Sequence, residues 1–378
     1  MPLAASRDAP GLGAECDRTH EIMSANSVSK SDADRIGVMD GVRACSILLV
    51  MAGHLLPLGP KVLHLNQFGA LGGMALFFTL SGFLITRLLC SDNNFTDFLI
   101  RRLARIVPLA YLYMLVVFVA FNHSIGALLN ELLFTLNYNH GIINEYNGHL
   151  WSLCVEVQFY LVIGALYRIF GRNAKWFILG LCLLITTLHV VVGDAYTIMT
   201  HLRGDEILTG SLMYLSTNGE FGDHRRFWRI MERATPALAV LFLVVCLPLG
   251  GFLGNFRGYA ASLLVGSVLF TRRRWLASAL MSRPMAYIAN ISYALYVIHL
   301  GAAAGPLSGG PKWLLYLVKR PITFAITFGL AHLSTFYYER RWMDLGRRIV
   351  QARRAARTVD IRIAVLPAPH RVRVGSAT

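Results

Sequence analysis

Ionisable side chains interrupt several apolar stretches of this sequence. His54 lies within GVRACSILLVMAGHLLPLG, eleven residues after Arg43, and Glu156 lies within WSLCVEVQFY. His299 is near the end of ISYALYVIHL, and Asp205 stands at the start of a further apolar segment. A charge inside a bilayer is costly, so such residues usually face the interior of a helix bundle or a water-filled cavity. The pattern therefore indicates a polar chamber built from several membrane helices.

A second group of charged residues could bind an anion. The stretch FLIRRLARIVP contains Arg102 and Arg105, which share one helical face at i, i+3. Two such guanidinium groups can chelate phosphate with forked donors. The alternative is a basic loop that only orients the chain in the membrane. No P-loop or GxGxxG motif is present, so the sequence does not indicate ATPase or dinucleotide chemistry.

The composition shows which elements must position these side chains. Hydrophobic residues make up 55% of the 378 residues and charged residues only 15%, which is typical of a chain with many membrane spans. The net charge of +15 then indicates basic loops beside an anionic leaflet, not nucleic-acid binding. The six cysteines form no CxxC pair, so disulfides and a metal site have little support. We predict an all-α polytopic membrane protein with no bound metal and no bound cofactor.

Ten apolar segments can be marked, and the basic residues predict their direction. With the N-terminus inside, only six of the 36 Lys and Arg residues fall outside, and the stretch from Asn122 to His149 contains none. The positive-inside rule therefore predicts ten transmembrane helices with both termini in the cytoplasm. The segments are approximately 42–58, 68–89, 104–121, 150–167, 176–194, 203–217, 235–253, 256–271, 285–303 and 321–338.

The two ends of the sequence are polar and differ from the apolar part. Residues 1–34 are aperiodic and lack the apolar run of a signal peptide, so we expect a disordered cytoplasmic tail. Residues 35–345 form the predicted ten-span domain, and residues 346–378 a basic cytoplasmic tail.

The predicted depths strengthen the chamber hypothesis. A helical rise of ~1.5 Å per residue places all four ionisable residues at a similar level in the outer half of the membrane. The histidines and Glu156 have structural alternatives, since a histidine in a span often only hydrogen-bonds its neighbours and Glu156 could pair with an arginine. Tyr293, on the same helical face as His299, could be ordinary core. Four such groups at one level favour the chamber.

Six stretches of the sequence resemble the acyltransferase-3 family of integral membrane O-acyltransferases, which modify bacterial surface glycans, nodulation factors and some macrolides. The resemblance runs from about Arg35 to Arg341. Arg–X10–His in the first segment, together with R-x-x-R in the first inner loop, is its most specific part. Family members often have an acid where Ala75 stands, and no soluble domain follows the tenth segment, so we expect a member without a fused domain. The stretches are MDGVRACSILLVMAGH, FFTLSGFLITRLL, FLIRRLARIVPL, WSLCVEVQFYL, RGDEILTG and ISYALYVIHL.

The resemblance implies roles for these residues. It implies a catalytic His54, with Arg43, Arg102 and Arg105 assisting the donor, which would be cytoplasmic acyl-CoA, most simply acetyl-CoA. We expect His54 to act as the general base on an acceptor hydroxyl, oriented by Glu156. The acceptor would be a glycan, a lipo-oligosaccharide or a glycolipid, with a macrolide as the alternative, and the location would be the bacterial inner membrane. Supporting polar groups of the chamber would be Ser81, Ser152, Asp205, Tyr293 and His299.

Two other functions fit part of the pattern. Buried His, Glu and Asp side chains could relay protons in a transporter, although the two halves of the chain show no repeat of the kind that many transporters have. His140, Glu145 and His149 could form an outer zinc site, but they lie in a loop rich in asparagine.

Overall fold

The structure, a computed structural model, describes residues 35–91, 94–121, 124–194 and 196–365. Within these ranges the chain is helical, and the β-structure is limited to one isolated bridge between Glu220 and Gly222. The all-α prediction is therefore confirmed. The helices are α1 (Arg35–Leu55), α2 (Leu65–Ser91), α3 (Phe95–Ala120), α4 (Ile125–Leu132), α5 (Trp151–Phe170), α6 (Ala174–Val192), α7 (Thr200–Arg203), α8 (Asp205–Thr217), α9 (Arg225–Arg233), α10 (Thr235–Cys246), α11 (Arg257–Leu269), α12 (Arg274–Leu280), α13 (Arg283–Ala303), α14 (Lys312–Leu314), α15 (Arg320–Leu333) and α16 (Arg340–Val365).

Several of these helices are long and apolar enough to cross a bilayer. Six helical stretches of the described chain meet that test, and a seventh is added if α10 and the helix after it, which are bent by 110°, count as one span. The chain is thus a multi-pass membrane protein by length and composition. The six stretches are Arg35–Leu55, Lys61–Ser91, Phe95–Ala120, Gly148–Val192, Arg283–Ala303 and Lys312–Arg357.

Each of the ten predicted segments contains a helix, but their lengths differ. The stretch Gly148–Val192 includes two predicted segments, which Gly171 separates with a φ of 53°. Three other helices, α8, α10 and α11, have only 13, 12 and 13 residues, so each is ~20 Å long and shorter than a hydrocarbon core of ~30 Å. The ten-span count and the orientation therefore stay predictions.

The described residues divide into two compact units. Unit 1 comprises the residues up to Leu84 with Ile178–Tyr296, and unit 2 comprises Ile85–Phe177 with the residues from Val297 onward. The domain boundaries predicted from the sequence, at residues 34 and 345, separate the apolar part of the chain from its polar tails. The division into two compact units does not test them. Residues 1–34, the predicted disordered tail, and residues 366–378 lie outside the described residues. The described part of the predicted C-terminal tail is helical and belongs to α16.

Glycines allow close helix contacts in unit 1. Gly69 and Gly73 of α2 have the GxxxG spacing that lets two membrane helices approach closely. A Cβ at Gly73 would lie 2.7 Å from the Ser46 carbonyl oxygen of α1, and a Cβ at Gly53 would lie 2.6 Å from the backbone nitrogen of Ala70. These contacts fix α1, and with it His54, against α2.

The glycines of two motifs form a second crossing in unit 1. A Cβ at Gly82, in LSGFL, would collide with the carbonyl oxygen of Ile207, and a Cβ at Gly210, in ILTG, would collide with that of Thr79. The contacts are reciprocal, so α2 and α8 cross backbone to backbone. Close packing is therefore enough to explain why these two positions are glycine, and no chemical role is needed.

In unit 2, α3 packs along α16. Asp97, in the first turn of α3, is completely buried and pairs with Arg354 at 3.0 Å and with Arg353 at 3.6 Å. A carboxylate also suits the positive end of the helix dipole. The pair ties the C-terminal helix to the base of α3.

Candidate functional site

His54 is the penultimate residue of α1, and its side chain is exposed. The end of that helix is held by Asn66 of α2. The Asn66 amide donates to the carbonyl oxygens of Gly53, at 2.8 Å, and Leu56, and its Oδ1 accepts from the Leu58 backbone amide at 3.3 Å. Carbonyl groups at a helix end have no partner within the helix. Asn66 therefore satisfies them and fixes the backbone on both sides of the imidazole.

Four other predicted site residues lie in unit 1, and three of them are Arg43, Ser81 and Tyr293. Arg43 forms an i, i+3 ion pair with Asp40 at 3.1 Å, so the first helix supplies a partner for its own arginine. Ser81 is half-buried in α2, and Tyr293 is buried in α13. A site shared by these three side chains and His54 stays a prediction.

Asp205 belongs to a buried charged cluster in unit 1. Its Oδ2 lies 3.3 Å from the Thr186 hydroxyl and 3.5 Å from Nδ1 of His189, and its Oδ1 accepts the Glu206 backbone N–H at 2.9 Å. His189 and Asp205 are each about 1% exposed. The predicted chamber residue is thus engaged by a neighbouring helix within its own unit.

Next to Asp205, one carboxylate serves two arginines. Glu206 Oε1 lies 3.3 Å from Nε of Arg203 and 2.9 Å from Nε of Arg257, and all three side chains are at most 2% exposed. Arg203 also donates to the Thr197 carbonyl oxygen at 3.0 Å. Buried charges persist when they are paired and hydrogen-bonded. The cluster therefore neutralises the charges that interrupt this apolar segment.

In unit 2 the structure connects two residues that the sequence analysis placed at opposite faces of the membrane. Tyr160, one turn after Glu156 on α5, donates a 2.5 Å hydrogen bond to the Glu156 carboxylate. The Arg102 guanidinium carbon lies 6.0 Å from the centre of the Tyr160 ring, within cation–π range. Tyr160 thus links Arg102 and Glu156 through one aromatic ring. Arg105, one turn further along α3, is half-buried.

A second polar group in unit 2 contains His299. Its ring lies 5.1 Å from that of His149 in an edge-on arrangement, and both side chains are buried. Nε2 of His149 lies 2.9 Å from the Val297 carbonyl oxygen, and Ser152 donates to the His149 carbonyl oxygen at 3.3 Å. Two predicted residues, Ser152 and His299, therefore both contact His149, and the Tyr113 ring lies 5.6 Å from the His149 ring.

Helix α4 of unit 2 contains a buried acid. Glu131 is 1% exposed and accepts a hydrogen bond from the Asn147 amide at 2.8 Å. Burial raises the pKa of the Glu131 carboxyl group, and the Asn147 hydrogen bond offsets part of that rise. The hydrogen bond between Glu131 and Asn147 therefore joins α4 to the segment that precedes α5.

The described residues show no group of three or more His, Cys, Asp or Glu side chains able to hold a metal ion. His140 and Glu145 are exposed, whereas His149 is buried against His299. These positions give no support to the zinc alternative. All five cysteines in the described ranges are free thiols.

The comparisons agree with the motifs. The family model of the acyltransferase domain, acyltransferase-3, matches residues 36–336. A Bacillus subtilis protein named "Putative peptidoglycan O-acetyltransferase" is 27% identical over 311 residues, which cover 69% of this chain and 47% of the relative. The peptidoglycan O-acetyltransferase of Listeria monocytogenes is 26% identical over 313 residues, which cover 69% of this chain and 48% of the relative.

The chain spans about half the length of these two curated relatives. An uncharacterized protein of Haemophilus influenzae is 28% identical over 212 residues, which cover 46% of this chain and 86% of that protein. No solved structure matches the chain significantly. The family match includes α1 with His54, the Arg102 region and the Glu156 helix, and it covers well over half of the sequence. The chain therefore belongs to the acyltransferase-3 family.

Proposed function

We propose that this protein is an inner-membrane O-acyltransferase that moves an acyl group, most simply acetyl, from cytoplasmic acyl-CoA to a hydroxyl group of a glycan or glycolipid. The observation that carries the proposal is the position of His54 within the matched acyltransferase domain. The imidazole of His54 is exposed, and Asn66 holds the backbone beside it. A general base needs both access to its substrate and a fixed position.

The proposed reaction needs one base and one stabilised leaving group. The His54 imidazole takes the proton of the acceptor hydroxyl, whose oxygen attacks the thioester carbonyl carbon. The C–S bond then breaks, the ester remains on the acceptor, and the CoA thiolate takes up a proton. An imidazole suits this task because its usual pKa lies near neutral pH. Glu156 would stabilise the imidazolium, following the logic of catalytic triads.

The donor side of the proposal rests on arginines. Arg43, Arg102 and Arg105 would assist the acyl-CoA donor, because guanidinium groups bind phosphate through paired donors. The contact of Arg102 with Tyr160 gives this residue a second task, the positioning of the helix that bears Glu156. The polyanionic coenzyme cannot enter lipid, so its phosphates require a basic surface in water.

A glycan is the favoured acceptor class. Two relatives carry names that specify peptidoglycan O-acetylation, and they support a cell-wall glycan in preference to a macrolide or a lipo-chitooligosaccharide. The buried polar groups around Asp205 and His299 would line the outer half of the proposed ten-span bundle.

The test compares envelope glycans and glycolipids from cells that produce the wild-type protein, His54→Ala, or no protein. We expect one acetyl group per modified sugar in mass spectra of the wild type alone, with His54→Ala present in the membrane at normal amounts. Wild-type levels of acetylated product from His54→Ala would exclude the proposed mechanism. An altered distribution of a small solute, with no change in any glycan or lipid, would instead support a transporter.

A further inference from the structure

Unit 1 contains a polar cavity of about 1020 Å³ where the C-terminal ends of α8 and α11 lie beside α9. We call it the basic pocket. Three arginines line it: Arg35 at the start of α1, Arg229 in α9 and Arg272 after α11. Among the described lining residues Asp223 is the one acid, so the basic pocket keeps a net positive charge. The described lining includes none of the residues assigned to acyl transfer.

One face of α9 is buried and fixes the helix beside the basic pocket. Trp228 is 3% exposed, and its indole N–H donates to the Ser216 hydroxyl at 3.2 Å. The Glu232 carboxylate accepts the backbone N–H of Arg272 at 2.9 Å. Helix α9 and the segment after α11 are therefore tied together, which holds Arg229 and Arg272 in the wall of one cavity. Guanidinium groups provide planar, forked donors that match phosphate oxygens.

The rest of the α9 surface is exposed and has two rows of side chains. Arg226, Arg229 and Arg233 are all exposed and follow one edge of the helix at i, i+3 and i+7. The adjacent edge is apolar, with Phe227 42% exposed and Ile230 51% exposed. A basic row beside an apolar row is typical of a helix that lies in the headgroup region of a bilayer. The apolar row would then enter the boundary between headgroups and acyl chains.

The basic pocket is also at the predicted level of the inner leaflet. The charge distribution predicts that the chain between α8 and α10 and the residues after α11 are cytoplasmic, and the cytoplasmic leaflet contains anionic lipids. Trp275, three residues after Arg272, is 68% exposed, as an indole at a membrane interface would be. A soluble anion would match the arginines only. A phospholipid matches the arginines through its phosphate and the apolar row through its acyl chains.

We propose that the basic pocket and the apolar row of α9 together bind an anionic phospholipid of the cytoplasmic leaflet. Arg229 and Arg272 contact the phosphate of the headgroup, and Phe227 and Ile230 contact the first part of the acyl chains. The lipid is neither donor nor acceptor in the proposed reaction, and the site does not include His54. The inference therefore does not depend on the proposed function.

The test is native mass spectrometry of the purified full chain in detergent, titrated with dioleoyl phosphatidylglycerol or with dioleoyl phosphatidylcholine, which has the same acyl chains but no net charge. Wild type should bind the anionic lipid about fivefold more tightly or better. Arg229→Ala/Arg272→Ala should raise the Kd for that lipid about tenfold, because charge-assisted contacts with phosphate are strong. The matched control, Arg348→Ala/Arg357→Ala, removes two exposed arginines from α16 and should stay within about twofold of wild type. Arg229→Lys/Arg272→Lys keeps the charge and should restore part of the affinity.

A second variant, Phe227→Ser/Ile230→Ser, tests the apolar row. It keeps every arginine and should weaken binding of phosphatidylglycerol about threefold or more, because less apolar surface is then buried against the acyl chains. Equal Kd values for the pocket variant and the α16 control, equal affinity for the two lipids, or full binding by Phe227→Ser/Ile230→Ser would each overturn the inference. Displacement of the lipid by millimolar inorganic phosphate would also overturn it, and would identify the basic pocket as a site for a soluble anion.

Discussion

The side-chain amide of Asn66 donates a 2.8 Å hydrogen bond to the carbonyl oxygen of Gly53, the residue directly before His54. The same side chain accepts from the backbone of Leu58. One residue of α2 therefore brackets the final turn of α1 on both sides of the imidazole. The backbone contact at Gly53 is close enough that a methyl group there would collide with α2. The imidazole is thus carried on a fixed rather than a frayed helix end.

Replacement of Asn66 by Ala should lower kcat for acetyl transfer about tenfold or more, because small displacements of a catalytic group are costly. The KM for acetyl-CoA should stay within about twofold of wild type, since Asn66 contributes no donor contact in the proposed mechanism. Rates in membrane vesicles at matched protein amounts provide the measurement. Gln67→Ala, at the adjacent position of α2, is the control. Equal kcat values for Asn66→Ala and Gln67→Ala would show that catalysis does not need the hydrogen bonds of Asn66.

Gly73→Ala should destabilise the packing of α1 on α2 by about 1–3 kcal/mol, the usual range for an overpacked core. The added Cβ would lie 2.6 Å from Cγ2 of Val50. Gly180→Ala is the matched control, because no atom lies within 4 Å of a Cβ at that position. The control gains helix propensity and should be neutral or stabilised by up to about 1 kcal/mol. Thermal unfolding in detergent distinguishes them, and equal melting temperatures would contradict the close contact.

Glu206→Gln should cost about 3–5 kcal/mol of folding stability, because it removes the carboxylate that pairs with two buried arginines. We expect less folded protein in membranes and a lower melting temperature. Asp344→Asn is the comparison, since Asp344 pairs with Arg347 at an exposed position of α16. That change should cost no more than about 1 kcal/mol. If Glu206→Gln were as stable as Asp344→Asn, the negative charge of Glu206 would contribute little to folding stability.

Each of the ten predicted segments contains a helix, because an apolar run leaves a clear signal in the sequence even where a charged residue interrupts it. The sequence identified the family from His54 and its spacing to Arg43, and the family match confirmed this. Of the charged residues in RGDEILTG, only Asp205 was predicted to belong to the polar chamber. Their pairing with His189 and Arg257 was not predicted, because residues far apart in sequence leave no periodic signal of their contact.

The depth argument also has a physical limit. Helical rise placed Glu156 in the outer half of the membrane, and the charge distribution placed Arg102 in the first inner loop. The structure joins them through Tyr160, since a long arginine side chain and a tyrosine ring together span several helical turns. Helical rise gives the level of a Cα atom, whereas the functional atoms of Arg and Tyr extend well beyond it.

Arg102→Ala combined with Arg105→Ala should raise the KM for acyl-CoA about tenfold or more, because each lost charge-assisted phosphate contact costs on the order of 1.5–3 kcal/mol. The KM for the acceptor should change less. Arg101→Ala, at the adjacent position of α3, provides the control. A double variant with an unaltered KM for acyl-CoA but a reduced kcat would assign Arg102 to the positioning of Tyr160 and Glu156 instead.

The Glu131 carboxyl group should make stability depend on pH. Burial raises its pKa above the usual value of 4.5, so the folded protein favours the protonated form more than the unfolded chain does. The stabilisation is therefore complete below the unfolded pKa and is lost as the pH rises through the folded pKa. The window begins near pH 4.5 and extends upward.

Glu131→Gln keeps an oxygen that can accept from Asn147 but removes the titrating proton. The wild-type melting temperature should fall relative to that of Glu131→Gln as the pH rises through this window, because only the wild type must bury a carboxylate above it. The difference between the two proteins, measured in detergent from pH 4 to pH 8, cancels the titration of all other groups. A wild type that gains stability over the variant with rising pH would show that Glu131 is stabilised as the anion and that its Asn147 contact outweighs burial.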